Sequence, residues 1–320
     1  MTHPESSPLA WRVIIGPTGG GKSALAMALA ERYDLSIVSA DSRQIYQGFD
    51  IGTAKPTPHD RARVPHYGVD ISDPSQRYSA FQWASDAEHW VRAAHDVGRR
   101  PVIVGGSGFY VRALISPFDA ASPPNVPARE ALNRWLSQMT SDDLKRWCGR
   151  LDPARAVLGR TQQLRAVETA LLLGTRLSDT LGASRPGASG GEPTPRASAA
   201  RYLVVDPGAS LATRLAERTR LMLASGWVAE IQALIRNVPE DAPAWGASGY
   251  RVMRDAIASG RSLDAAIERV VIETRQYAKR QRTWCRHQLP AAQVTQIDSR
   301  SLDALARASA WWESNDERRS

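Results

Sequence analysis

Residues Gly16 to Ser23 read GPTGGGKS, the spacing G-x-x-x-x-G-K-S, between a short apolar run and a helix-forming one. Glycines at such positions let backbone N–H groups turn onto phosphate oxygens, and a helix N-terminus behind them adds the positive end of its dipole. Lys22 then offers a mobile cation to the outer phosphates, and the Ser23 hydroxyl a ligand for Mg²⁺. A diphosphate or triphosphate is what this loop takes. A nucleotide hydrolase follows a later buried strand with an acidic residue for metal and water. Here the run Pro101–Val104 (PVIV) is followed instead by Gly105, Gly106, Ser107 and Gly108. Those residues offer amides and one hydroxyl, which suits cradling a ligand better than activating water. Asp41 follows another apolar run, SIVSA at Ser36–Ala40. Three roles stay open for it on these grounds: Mg²⁺ ligand, general base, or helix N-cap.

Another constellation lies in ETRQYAKRQRTWCRH. At 100° per residue, Arg275, Lys279, Arg282 and Arg286 share one helix stripe, with Val270, Tyr277 and Trp284 almost opposite. The apolar side packs on a core. The cationic side has few acids interleaved, so it suits a nucleic-acid backbone, although a solvated charged face is the ordinary outcome for such runs.

These residues need a frame. Trp11–Gly16, Ser36–Ala40 and Pro101–Val104 read as short buried strands, Tyr67–Ile71 as a further one, and Tyr202–Val205 as the last. Between them Leu25, Ala26 and Leu29 follow a helical period, as do Phe81, Trp83, Ala84, Ala87, Trp90, Val91 and Ala94 within Ser79–Gly98. Alternating strands and helices predict an α/β fold with a parallel sheet, whose carboxyl edge carries the loops just described. Pro123–Gly174 shows helical patterns only and reads as an insertion. The expected organisation is a core over 1–120, a helical insertion over 121–180, a Gly/Pro/Ser-rich loop over 181–200, and the core resuming over 201–320 with three helical patterns and a frayed tail at ESNDERRS.

The chain has 320 residues, 42% hydrophobic and 23% charged, with formal net charge +8. That excludes disorder as the main state, and no apolar run approaches the roughly 18 residues of a membrane span. The N-terminus lacks the features of a secretion signal, so a cytoplasmic location is expected. Cys148 and Cys285 stand far apart, and the six His are scattered, which gives no disulfide framework or zinc cluster. The cations are 37 Arg against four Lys. Guanidinium forks suit phosphate, but composition alone does not separate a polyanion partner from a generally basic surface.

The motifs occur together and in order in one family. GPTGGGKS, SADSRQIYQGFDIGTAKP (Ser39–Pro56), DPSQRYSA (Asp73–Ala80), VGGSGFY (Val104–Tyr110), QQLRAVE (Gln162–Glu168), LASGWVAE (Leu223–Glu230), SGYR (Ser248–Arg251) and TRQYAKRQRTW (Thr274–Trp284) closely resemble bacterial tRNA dimethylallyltransferases. The resemblance spans about residues 12–286. It implies a P-loop NTPase/kinase-like core with a helical insertion domain. It implies transfer of a dimethylallyl group from dimethylallyl diphosphate to N6 of adenosine 37 of tRNA, giving N6-(dimethylallyl)adenosine and diphosphate, with Mg²⁺.

By this resemblance the diphosphate rests on Gly16, Pro17, Thr18, Gly19, Gly20, Gly21, Lys22 and Ser23, with Arg214 as a further contact. Asp41 holds and deprotonates the N6 amine, and Ser107 touches substrate near the reaction centre. The target base is flipped out of its stack. Asp41, Ser42, Arg43 and Gln44 then meet it or its neighbours, while Arg129, Gln162, Gln163, Leu164, Arg165, Ala166 and the stripe hold RNA. A monomer is expected. In Ala244–Arg251 (AWGASGYR) the chain departs from its relatives, keeping SGYR but carrying Trp-Gly-Ala before it. Rival readings are a small-molecule kinase, which shares the loop; an adenylate dimethylallyltransferase, against which the basic stripe argues; and a non-enzymatic RNA-binding module, which leaves the loop unexplained.

Overall fold

The computed structural model describes residues 11–115, 126–179 and 195–314. Chain contacts separate two compact units, one of residues 1–115 with 195–320 and one of residues 116–194.

In the first unit six parallel strands form one sheet: β1 (Arg12–Ile15), β2 (Leu35–Ala40), β3 (His66–Tyr67), β4 (Arg100–Gly105), β5 (Arg201–Val205) and β6 (Val294–Ile297), in the order β3-β2-β4-β1-β5-β6. Every residue of β1 and β2 is buried, as a parallel strand covered on both faces requires, and this is why they read as unbroken apolar runs. β1 sits between β4 and β5, with Val13 opposite Ile103 on one side and Tyr202 on the other. Because all strands run the same way, Gly16, Asp41, Gly106 and Asp206 emerge at one carboxyl edge.

Two strand expectations change. Tyr67–Ile71 contributes only its first residue to β3, because Gly68 (φ 75°) and Asp70 (φ 56°) turn the chain away. Lys55 and Arg61 hold the Asp70 carboxylate in that turn. β6 carries no strong pattern, since VTQI is a half-exposed edge strand with a single buried residue.

The helices α1 (Lys22–Tyr33), α2 (Pro58–Arg63), α3 (Ala80–Asp96) and α4 (Gly108–Ile115) belong to the first part of this unit. α3 starts at a capping box in which Ser79 and Gln82 satisfy each other's backbone amides, and its Trp83 donates from Nε1 to Ser39 O in β2. One core cluster joins Ile14, Leu29, Val102 and Leu203 to Trp311 and Trp312 near the C-terminus.

The second unit contains α5 (Val126–Ser137), α6 (Ser141–Leu151) and α7 (Arg160–Leu173), all helical as expected, around Leu136, Leu144, Cys148, Ala166 and Val167. Residues 181–194 of the expected loop lie outside the described residues, and Pro195–Ala199 of its last part is the short helix α8.

After β5, five α-helices rather than three follow among the described residues: α9 (Leu211–Ala224), α10 (Trp227–Asn237), α11 (Tyr250–Ala258), α12 (Leu263–Gln288) and α13 (Ala304–Glu313). α13 includes Glu313 of the expected tail, and residues 315–320 lie outside the description. Among the described residues, no helix is long and apolar enough to cross a membrane.

Candidate active site

The phosphate loop joins β1 to α1. α1 opens on Gly21 at φ 91°, a left-handed conformation only glycine enters cheaply, and no side chain caps it. Its first amides therefore face outward, free for an anion. Lys22 is buried, with its Nζ donating to Pro17 O at 2.8 Å. Burial pulls its ammonium down from 10.5 to about 8, against a smaller upward push from Asp41. Ser23 is exposed and shares the cavity lining with Lys22 and Asp41.

Two arginines come from α9, one turn apart. Arg214 donates from Nε to Gly19 O at 3.0 Å, which puts its guanidinium against the loop. Arg218 was not expected. It lines the same cavity without a hydrogen bond or ion pair among the described residues; burial pulls it below its usual range while Asp41 pushes it back. Its signal lay in the sequence, since Arg214 and Arg218 fall at i and i+4 on one helix face.

Gln281 of α12 is the other unexpected member. Its Oε1 accepts from Thr18 N at 2.8 Å, and its Nε2 donates to Gly106 O at 2.9 Å. One amide thus ties the phosphate loop to the loop after β4. Glycine at 106 leaves room for that amide, because a Cβ there would stand 2.1 Å from Gln281 Nε2 and force it to move.

Asp41 follows β2. Residues 42–45 form a turn rather than a helix, so the N-cap role falls away. Instead the Asp41 Oδ1 accepts from Arg43 N at 2.9 Å, which holds the carboxylate in a tight local turn. Ser107 supports that turn: its Oγ accepts from Ser42 N at 2.9 Å and donates to Ser42 Oγ at 3.2 Å. Tyr277 of α12 stands beside Ser107. Ser107, expected to touch substrate, is buried, and its hydroxyl shapes the Asp41 turn. Gln44 accepts from Ser39 Oγ at 3.0 Å and donates to Ala54 O at 3.0 Å, fixing the far wall. That wall is anchored from behind by Glu230 of α10, which accepts from Ile51 N at 2.7 Å and from the Tyr250 hydroxyl at 2.6 Å.

Together these groups line a cavity of about 710 Å³, with the phosphate loop, Arg214, Arg218, Gly105, Gly106 and Gln281 around it and Asp41 in its wall. It can hold a polyanion with several cations at one end and present a carboxylate to whatever lies beside that anion.

The sequence matches the family profile described as IPP transferase over residues 44–288, and that described as isopentenyl transferase over residues 9–64. It is 40% identical to a tRNA dimethylallyltransferase of Halorhodospira halophila, over 89% of this chain and 92% of that one. It is 39% identical to one from Deinococcus radiodurans, over 87% and 90%. The crystal structure of a tRNA isopentenylpyrophosphate transferase from Bacillus halodurans superposes with TM-score 0.66 at 27% identity, covering 97% of this chain and 99% of that one. The chain belongs to the tRNA dimethylallyltransferases.

In this member of the family the expected RNA contacts divide. Within the cationic stripe, Arg275, Lys279 and Arg286 are exposed and unpaired among the described residues. Arg282 is not available: its Nε donates to Asp206 Oδ2 at 2.8 Å, and its Nη2 bonds Asp206 Oδ1 and Gly208 O. It locks α12 to the end of β5. The buried face of α12 is Val270, Ala278, Gln281 and Cys285, with Tyr277 and Trp284 half-buried at its margin.

In the helical unit, Arg129 is ion-paired to Glu168, so its charge is already answered. Gln163 is buried, with Nε2 donating to Ala156 O and Leu158 O at 2.8 Å each. Ala166 belongs to the core of that unit, where its side chain meets no solvent, and Leu164 is half-buried against the same core. Gln162 and Arg165 are exposed. These corrections share a cause: a contiguous motif on a helix spreads over all its faces, and only some of them meet solvent.

Proposed function

We propose that this chain transfers a dimethylallyl group from dimethylallyl diphosphate to N6 of adenosine 37 in the anticodon loop of tRNA. The observation that carries the reading is the Asp41 carboxylate in the wall of the cavity that the phosphate loop closes. The donor's diphosphate rests on the amides of Gly19 to Ser23, with Lys22, Arg214 and Arg218 as counter-charges. They neutralise the leaving group as the C–O bond breaks. The N6–C bond forms at the freed carbon, and the amine proton passes to Asp41, whose second oxygen makes no bond among the described residues. An exocyclic adenine amine is a weak nucleophile, so a carboxylate taking its proton as the bond forms lowers the barrier.

Stems and stacked loops do not admit a carboxylate to N6, so the adenosine is flipped out to meet Asp41. Ser42 and Ser107 hold the turn that presents it. The donor set fits Mg²⁺: the exposed Ser23 hydroxyl supplies one ligand, and diphosphate and water supply the rest, as this ion prefers. Bound there, Mg²⁺ would offset negative charge on the diphosphate. Among the described residues no cluster of three His, Cys, Asp or Glu offers a different metal site. The tRNA substrate favours the cytoplasm.

The test is mass spectrometry of nucleosides from tRNA incubated with enzyme, Mg²⁺ and donor. An added five-carbon unit on adenosine is expected, with diphosphate released only when donor and RNA are both present. ATP turnover without prenylation would favour the kinase reading and refute this one.

A further inference from the structure

The loop after β6 runs Asp298-Ser299-Arg300, beyond the last motif of the family, and it closes on itself. The Asp298 carboxylate accepts from Arg300 N at 2.9 Å through Oδ1 and from Arg300 Nη2 at 2.7 Å through Oδ2. Asp298 O accepts from Ser301 N at 3.1 Å, and Ile297 O accepts from Asp206 N, at the end of β5, at 3.0 Å. Ser299, at the tip, is thereby held in one place.

What it points at is the phosphate loop. A Cβ at Gly21 would stand 2.8 Å from Ser299 Cβ, 2.9 Å from its Oγ and 3.5 Å from Arg214 Nη2. Hydroxyl, guanidinium and loop thus meet at the residue that opens α1. A Cβ at Gly19 would likewise stand 2.7 Å from Leu215 Cδ2, so α9 packs on the same loop with the residue next to Arg214.

Two groups at this junction are incompletely bonded. The Ser299 Oγ is buried without a hydrogen-bond partner among the described residues, which is costly for a hydroxyl until a partner arrives. Arg214 uses its Nε on Gly19 O and makes no hydrogen bond from either Nη among the described residues. Asp298 keeps its charge close by: Arg300, and more weakly Arg214, holds its carboxyl well below the usual carboxylate range. Arg214 lines the diphosphate cavity and Ser299 does not, so any effect of Ser299 on the anion passes through the arginine. A guanidinium has five N–H donors, and a diphosphate edge takes two of them in a fork. Nη2, with donors to spare, is the group beside Ser299. We infer that Ser299 is a positioning residue for the leaving group: when the diphosphate seats, the Ser299 hydroxyl accepts from Arg214 Nη2 and fixes the fork on the loop.

This inference rests on the proposed function for the identity of the donor, and the experiment separates the two. Binding of inorganic diphosphate and of dimethylallyl diphosphate, with Mg²⁺, is measured by calorimetry for the wild type, Ser299→Ala, Arg214→Ala and the double variant. Ser299→Ala weakens both ligands by about three- to tenfold, the loss of one hydrogen bond, and adds nothing to the loss in Arg214→Ala. In prenylation of an anticodon stem-loop it raises donor KM by a similar factor, with kcat and RNA KM as in the wild type. Without ligand its melting temperature equals or exceeds that of the wild type, because the hydroxyl removed had no partner; a merely structural residue would lower it. Asp298 gives a second measurement. Asp298→Ala and Asp298→Asn both delete a negative charge near an anion site, which by charge alone tightens binding. Ala also removes the acceptor that closes the turn on Arg300 N, so Asp298→Ala binds diphosphate more weakly than Asp298→Asn. A Ser299→Ala protein that binds both ligands like the wild type overturns the inference. So does a Ser299→Ala loss that persists in full without Arg214, or an Asp298→Ala protein that binds no more weakly than Asp298→Asn. A wild type that binds inorganic diphosphate yet neither binds dimethylallyl diphosphate nor prenylates RNA overturns the functional reading alone, since the cycle on inorganic diphosphate still decides the role of Ser299.

Discussion

Donor binding should depend on pH through Lys22. Burial lowers its ammonium from 10.5 to about 8, so at neutral pH it is mostly charged and at pH 9 mostly neutral. If only the charged form neutralises a diphosphate, affinity should fall about tenfold between pH 7 and pH 9. Binding at the higher pH should then take up close to one proton, because the bound anion pulls Lys22 back to its charged form. Calorimetric titration of the enzyme with dimethylallyl diphosphate, in buffers of differing ionisation enthalpy at constant ionic strength, measures both quantities. Lys22→Arg keeps its charge throughout and should flatten the profile, whatever its absolute affinity. The fold itself should respond with the opposite sign. Between about pH 8 and 10.5 the unfolded chain holds the Lys22 proton that the folded one has lost, so rising pH in that window favours the native state. A wild-type affinity as flat as that of Lys22→Arg would refute the assignment of Lys22 as the pH-sensitive counter-charge.

Other consequences are as definite. Asp41→Asn should lower single-turnover prenylation by about 10²–10⁴-fold while donor affinity survives, and an unchanged rate would remove Asp41 as the base. Arg282→Ala should cost about 1–2 kcal/mol in denaturant melts, because it breaks a half-buried bidentate pair with Asp206, and should leave the salt dependence of tRNA binding unchanged. Neutralising Lys279 and Arg286 should do the reverse, reducing the salt slope by up to about one unit per lost phosphate contact with little effect on melting. Gly106→Ala should raise donor KM, since the added methyl displaces the Gln281 amide from both loops; a normal KM would make that bridge dispensable.

Much of the site could be read before the fold was known, because its phosphate loop is contiguous and its chemistry is local. Gly16 to Ser23 need only a strand before them and a helix after, and both show in the pattern. Asp41 and Ser107 are harder, since each becomes functional through a neighbour. The sequence places both at strand ends, but not the hydroxyl of Ser107 under Ser42. Gln281 was hidden because it is neutral and sits inside a run of cations that drew the eye to charge. Arg282 was misassigned for a related reason: helical period says which face a residue shares, but its partner Asp206 lies 76 residues away. β6 escaped because a short edge strand needs no alternating or apolar signature. In the helical unit, Gln163 and Ala166 look like ligands only while the motif is read as a string.

The Gln281 bridge also bears on how the protein is made. The loop Gly16–Ser23 is synthesised well before α12, yet the amide that braces Thr18 against Gly106 arrives only with α12. β5, which flanks β1 in the sheet, is itself synthesised after the whole helical unit. Local helices can form as they emerge, but these long-range pairings must await the segments that complete them, β5 and α12. A nascent chain stalled before α12 therefore carries the phosphate-loop sequence without the amide that braces it, and the loop is tied to its neighbour only once α12 has been made.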